Sequence, residues 1–206
     1  MQLDTMKPKF SWLHSLTGAD TKPMHDKVVF ESKNFVVMPS LGSLVAGWLL
    51  VVPKRKIPNF SFINAEERCE LDDILQDFKG RLELFGGAVH AFEHGGLFNS
   101  KISCGVDQAH LHLLPLSFNL VNASREADGV SWNAVSGLDH LSQVSDIDEY
   151  LFVMNSDGAL LGEPNEPTSQ WFRKVIASEL GKSSEWNYRE FPKLDVIDTT
   201  IAVLAS

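Results

Sequence analysis

Hydrophobic and polar positions alternate along this chain in short blocks, each predicting an element. Val28-Val29-Phe30 and Phe35-Val36-Val37-Met38 flank the polar segment Glu31-Ser32-Lys33-Asn34, which reads as two short strands around a turn, the second ended by Pro39. Gly42 and Gly47 bracket a further turn. Trp48-Leu49-Leu50-Val51-Val52 is then an unbroken apolar run closed by Pro53, the pattern of a strand buried on both faces. After Asn64 the apolar set Leu71, Ile74, Leu75, Phe78, Leu82 and Phe85 recurs every three or four residues. Asn64 with Glu67 three positions on gives this amphipathic helix a capped start, and Gly86-Gly87 stops it. Ala88 to His94 alternates as a strand running into the loop at Gly95-Gly96.

Beyond residue 116 the pattern weakens. Residues 117–145 are rich in Ser, Asn, Asp and Gly, which predicts a long loop with one helical turn near Val144. Tyr150–Met154 and Ala159–Leu161 read as a hairpin, with Asp157-Gly158 supplying the positive φ of a tight turn. Trp171, Phe172, Val175, Ile176 and Leu180 predict a helix capped by Thr168 or Ser169 and stopped by Gly181. Trp186-Asn187-Tyr188-Arg189 and a stretch around Val196-Ile197 complete the chain, and Trp12-Leu13-His14 is read as a helical turn packed on the body.

One stretch combines a strict period with useful chemistry. In Asp107-Gln108-Ala109-His110-Leu111-His112-Leu113-Leu114-Pro115 a strand puts Gln108, His110 and His112 in one row, roughly 6.5–7 Å apart, with Ala109, Leu111 and Leu113 facing the other way. Neighbouring imidazoles can hold a metal, bind an anion, or divide nucleophile and acid roles near neutral pH. The plainer reading is a polar stripe on a solvated sheet face.

Composition narrows these choices. The 206 residues are 44% hydrophobic, enough for a sizeable core, and are read as an N-terminal segment 1–27, a core 28–116 and a C-terminal extension 117–206 packed on it. A formal net charge of −9 argues against a general nucleic-acid surface, yet permits a phosphate-bearing small molecule held by backbone amides and a few histidines. The glycine-flanked loop Gly95 to Gly105, with Asn99, Ser100, Lys101 and Ser103, could reach such a phosphate. The two cysteines, Cys69 and Cys104, form no Cys-x-x-Cys pair, and no signal peptide opens the chain; both observations predict a reduced, cytoplasmic protein. The apolar run Leu41 to Val52 is too short to span a bilayer.

A metal is not expected. A cupin would place Glu three or four residues past the second histidine, where Pro115 and Leu116 stand, and no spacing recruits His90 or His94 to a closed ligand set. His90 is read as a satisfied sheet histidine. Gly-x-Ser-x-Gly is absent, and Cys104 carries no nucleophile signature.

The succession Gly47-Trp48-Leu49-Leu50-Val51-Val52-Pro53-Lys54, Phe92-Glu93-His94-Gly95 and Gln108-Ala109-His110-Leu111-His112-Leu113-Leu114-Pro115 resembles the histidine triad nucleotide hydrolases and transferases across residues 28–116. The resemblance implies an α+β fold, an antiparallel sheet with packed helices, usually a homodimer, with a nucleotide over the sheet and no cofactor. Counted back from Pro115, His110 takes the middle histidine's place as nucleophile on the α-phosphorus. His112 takes the third, as phosphate ligand and proton donor to the leaving group. Gln108 replaces the first histidine; its amide could still hold the nucleophile or a phosphate oxygen, but it cannot titrate. Glu93 falls where an amide side chain often touches the ribose, and Ser103 and Cys104 fall in the phosphate-contacting loop. Lys56 lies near a position often held by histidine. The expected substrate is a dinucleoside polyphosphate or a nucleoside phosphoramidate. The alternatives are a nucleotide-binding protein without turnover and a metal-dependent hydrolase on the same histidines. Gln170, Arg173 and Arg189 could narrow the pocket or form a dimer contact, though solvated faces are the commoner explanation. Trp171, Phe172, Trp186 and Tyr188 are the apolar load cited for a homodimer.

Overall fold

The β-branched and aromatic runs of the sequence pair into one antiparallel sheet. Its strands are β1 (Phe30–Glu31), β2 (Phe35–Pro39), β3 (Leu49–Pro53), β4 (Ala88–Gly96), β5 (Leu111–Leu116), β6 (Val130–Val135), β7 (Glu149–Asn155) and β8 (Gly158–Pro164). The computed structural model describes residues 10–14, 26–98, 108–144 and 147–205. Among these the eight strands run in the order β1-β2-β3-β5-β4-β7-β8-β6. The class is α+β, as the sequence predicts. Strand β4 pairs on one side with β5, from Ala88↔Leu116 to Phe92↔His112, and on the other with β7, from Ala91↔Met154 to Gly96↔Glu149. The sheet is therefore continuous from the segment before residue 116 into the segment after it.

Each face is covered by a different set of helices. Helix α1 (Ala65–Leu82) lays Leu71, Ile74, Phe78 and Leu82 against Phe35, Val37, Leu49, Leu111 and Leu113. Burying each such side chain stabilises the fold by roughly 1.5–3 kcal/mol before entropy is counted. Its start is fixed by the predicted capping box: the Asn64 side chain accepts from Glu67 N, and the Glu67 carboxylate accepts from Asn64 N. On the opposite face α2 (Leu120–Glu126) and α3 (Trp171–Glu179) pack with Trp48, Phe92, Leu114, Leu116, Leu151 and Val153. Further along that sheet, Phe10 of the N-terminal turn covers Val36, Met38, Leu50 and Val52. Helix α4 (Leu194–Leu204) is pinned by Thr200, whose hydroxyl oxygen accepts from Gly47 N at 2.9 Å.

Three local expectations are corrected. Residues 117–145 hold α2 and β6 in place of a long loop, while the helical turn expected near Val144 is the 3-10 segment Leu138–Gln143. Helix α2 is short and capped by Asn119, and β6 is an edge strand exposed along much of its length, so neither carries a strong apolar period. The start of α3 is set by Gln170 in the left-handed region (φ 56°), with no side-chain cap from Thr168 or Ser169. In the β7-β8 hairpin the paired ends are Asn155 and Gly158, so the two-residue turn is Ser156-Asp157.

Candidate active site

Pairing of β4 with β5 builds the site. Phe92 opposes His112, and their rings stack with centroids 4.3 Å apart and planes 13° apart. His94, two residues beyond Phe92 on β4, falls on the same sheet face as Phe92. His110 and His112 lie 5.1 Å apart between ring centroids. All three imidazoles line one cleft, walled on the sheet side by Phe92 and on the other by Gln170, Phe172, Arg173 and Tyr188.

Hydrogen bonds fix how two of these rings carry their protons. His110 Nδ1 lies 2.9 Å from the backbone oxygen of Gln108, and a carbonyl can only accept. Nδ1 therefore bears hydrogen, and in the neutral ring Nε2 keeps its lone pair. His112 is arranged the opposite way. The indole N–H of Trp48, a donor only, reaches His112 Nδ1 at 2.9 Å, so Nδ1 is the acceptor and the ring hydrogen sits on Nε2. Adding a proton at Nδ1 would set N–H against N–H. His112 is accordingly a neutral donor, suited to a phosphoryl oxygen.

His94 differs from both. Its Nε2 meets a carboxylate oxygen of Glu149, and both side chains are 7% exposed. The strand is held tightly here: a Cβ on Gly95, the next residue, would fall 2.2 Å from Tyr150 Cζ, so only glycine fits. Arg173, 5% exposed, donates from Nε to Trp186 O at 3.0 Å and from Nη2 to Gly42 O, with its guanidinium 4.7 Å over the Trp48 ring. Among the described residues that line the cleft no carboxylate appears. The cleft is thus a site of imidazoles, a guanidinium and aromatic walls, chemistry suited to an anion.

The remaining predicted residues fall elsewhere. Gln108 is 3% exposed and donates its amide hydrogens to Pro53 O at 2.8 Å and Arg55 O at 3.0 Å, tying the start of β5 to the end of β3. Its backbone carbonyl, not its side chain, positions His110. Glu93 turns to the opposite sheet face, because neighbours along a strand alternate. There it is 1% exposed and accepts from Phe60 N at 2.9 Å and Tyr150 OH at 2.5 Å, on the face away from the imidazole cleft. Burial pushes the Glu93 carboxyl up to about 7. Ser103 and Cys104 lie outside the described residues. His90 is a satisfied core histidine, bonded to Ala88 O and to the amides of Leu120 and Asn155.

Two residues that support the cleft's imidazoles carry no local signal of that role in the sequence. The sequence assigns no role to Trp48 or Glu149; Gln170 and Arg173, which it allows as residues that narrow the pocket, do line the cleft. The signal that could have found Glu149 is strand parity: once β7 is placed beside β4, Gly96↔Glu149 follows. The aromatics cited for a homodimer have partners within the chain, Trp171 and Phe172 against Trp132 and Tyr188 against Arg173. Among the described residues no group of three or more His, Cys, Asp or Glu is placed to hold a metal ion, and no helix is long and apolar enough to cross a membrane.

No protein-family model matches the sequence, and no curated protein matches it. Among solved structures the chain aligns with a DUF4931 family protein from Bacillus cereus ATCC 10987, at 10% identity and a TM-score of 0.46, over 87% of this chain and 98% of that one. It also aligns with a hypothetical histidine triad nucleotide-binding protein from Sulfolobus tokodaii strain 7, at 15% identity and a TM-score of 0.34, over 86% and 84%.

Proposed function

We propose that this chain is a nucleotidyl hydrolase or transferase that acts at the α-phosphorus of a dinucleoside polyphosphate or a nucleoside phosphoramidate, through a nucleotidyl-histidine intermediate on His110. The observation that carries this reading is the hydrogen bond from His110 Nδ1 to Gln108 O, which puts the neutral ring's basic nitrogen at Nε2, on a ring that lines the cleft beside a second imidazole. An imidazole is both a competent nucleophile and a good leaving group, so one nitrogen can form and release the intermediate. In the first step His110 Nε2 forms a P–N bond as the P–O or P–N bond to the leaving group breaks. In the second, water or another acceptor forms a bond to phosphorus and the imidazole departs with its lone pair. His112 Nε2–H and Arg173 neutralise charge on the phosphoryl oxygens, the larger part of catalysis in phosphoryl transfer.

A second reading, nucleotide binding without turnover, draws on the size of the cleft. The cleft is narrow, with Phe92 facing Phe172, Arg173 and Tyr188 across it, a shape that fits tight holding of a ligand as well as its turnover. Single-turnover mixing with radiolabelled dinucleoside polyphosphate and nucleoside phosphoramidate separates the two. Acid-labile label on the wild type that disappears in His110→Ala is expected. Saturable binding with no covalent label would leave a binding protein.

A further inference from the structure

Turnover as proposed above requires a proton for the leaving group, and His112 is poorly arranged to give it. Its Nδ1 accepts from Trp48, so its one hydrogen is on Nε2, and releasing that hydrogen would leave an imidazolate. His110 has its hydrogen on Nδ1, bound to Gln108 O on the side away from the attacking nitrogen. Arg173 does not deprotonate in proteins. The proton must come from another group in the cleft.

We infer that His94, oriented by Glu149, is the acid and base of the site, standing in from β4 for the imidazole that Gln108 lacks on β5. This rests on the nucleotidyl-transfer reading. His94 lines the same cleft as the nucleophile His110 and lies one pleat along β4 from the stacked Phe92-His112 pair. Among the described residues the groups around it are Glu149 on β7, His110 just before β5 and His112 on it, Arg173 on α3, and Glu93 on its own strand but on the opposite face. Among the described residues Glu149 is the carboxylate that meets its ring and orients it, and the step starts from the protonated form of His94. With Nε2–H donated to Glu149, the exchangeable proton is on Nδ1. As the bond from phosphorus to the leaving group breaks, Nδ1–H passes to the leaving atom and His94 becomes neutral, its Nε2–H still on Glu149. When water then attacks phosphorus, its proton returns to Nδ1, the P–N bond to His110 breaks, and both imidazoles regain their starting states. No co-reactant beyond water is needed.

Leaving-group dependence tests this, because a departing group that is already a weak base needs little proton assistance. Two nucleoside 5′-phosphate aryl esters, the phenyl and the p-nitrophenyl, are compared on wild type, His94→Gln and Glu149→Gln. His94→Gln is expected to slow the phenyl ester by roughly 10²–10⁴-fold and the p-nitrophenyl ester by less than about tenfold. Glu149→Gln should show the same order at smaller size. Because each ratio comes from one preparation, partial misfolding cancels. Equal slowing of both esters in His94→Gln, with the wild type active on both, overturns the role of His94 and leaves the transfer reading standing. A wild type inert on both esters overturns the transfer reading and this inference with it.

Discussion

The indole N–H of Trp48 on one side of the sheet core donates to His112 Nδ1 at 2.9 Å, and this bond selects the tautomer of the ring above it. Trp48 is fully buried and packs edge-on against Phe92 at 5.9 Å between centroids, so the donor is held rigidly. Trp48→Phe keeps an aromatic ring in the core and removes the donor. We expect a loss of about 1–2 kcal/mol in unfolding free energy, from the lost bond and the cavity left by the smaller ring. ¹⁵N shifts of the imidazole should show His112 as one tautomer in the wild type and a mixture in the variant. Identical shifts would mean that Trp48 does not set the proton's position.

Gln108 links two ends of the site. Its side chain anchors β5 to the carbonyls of Pro53 and Arg55 while its own carbonyl holds His110. Gln108→Ala leaves two carbonyls without that donor and should cost roughly 2–4 kcal/mol in denaturant unfolding. Gln108→His completes the sequence motif, yet a neutral imidazole offers a single N–H where two carbonyls now receive one each. It is expected to lower stability by about 1 kcal/mol and to leave turnover no faster. A rise in turnover would show that position 108 faces the substrate.

Local signals explain which parts of this arrangement were legible in advance. The capping box at Asn64 and Glu67 and the alternation from Ala109 to Leu113 involve neighbours in sequence, and both were read as they are found. The row His110-His112 follows from strand parity alone. What decides their chemistry does not: Trp48 lies 64 residues from His112 and Glu149 lies 55 from His94, contacts created by the order of strands. Glu93 illustrates the converse, since the motif around it placed it at a ligand while one step of alternation turns it to the other face. Helix α2 and strand β6 were missed because their burial comes from tertiary packing against α3 and β8, with little period of their own.

His90 ties α2 to the sheet, because its Nε2 accepts the first-turn amide of Leu120 at 3.2 Å, one of the helix's otherwise unpaired donors. Burial holds this imidazole below the usual histidine range. The unfolded chain therefore takes up the proton first, near its ordinary value of about 6.5. The contribution is fully present above that pH and is lost as pH falls from there through the lower folded value. Urea unfolding measured from pH 8 down to pH 5 should show stability declining on the acid side. In His90→Gln, where the amide oxygen can still accept from Leu120, that part of the decline should disappear. An unchanged slope would assign the decline to other groups.

Glu93 gives the opposite sign and tests its placement away from the cleft. Burial raises its carboxyl to about 7, against roughly 4.3 in an unfolded chain. The folded state therefore holds the proton more tightly. Stability from this group is fully present below about pH 4.3 and is lost as pH rises through about 7, a change on the order of 3 kcal/mol. Glu93→Gln cannot titrate, and its side-chain oxygen can still accept from Phe60 N. Its unfolding free energy should vary less with pH than that of the wild type over this range. Nucleotide affinity should stay within about twofold of the wild type, because the side chain sits beneath the sheet with Phe60 and Tyr150. A variant that keeps the wild-type pH profile would contradict the buried carboxyl. A large loss of affinity with the pH profile flattened as expected would return Glu93 to the ligand, reached through the strand rather than by direct contact.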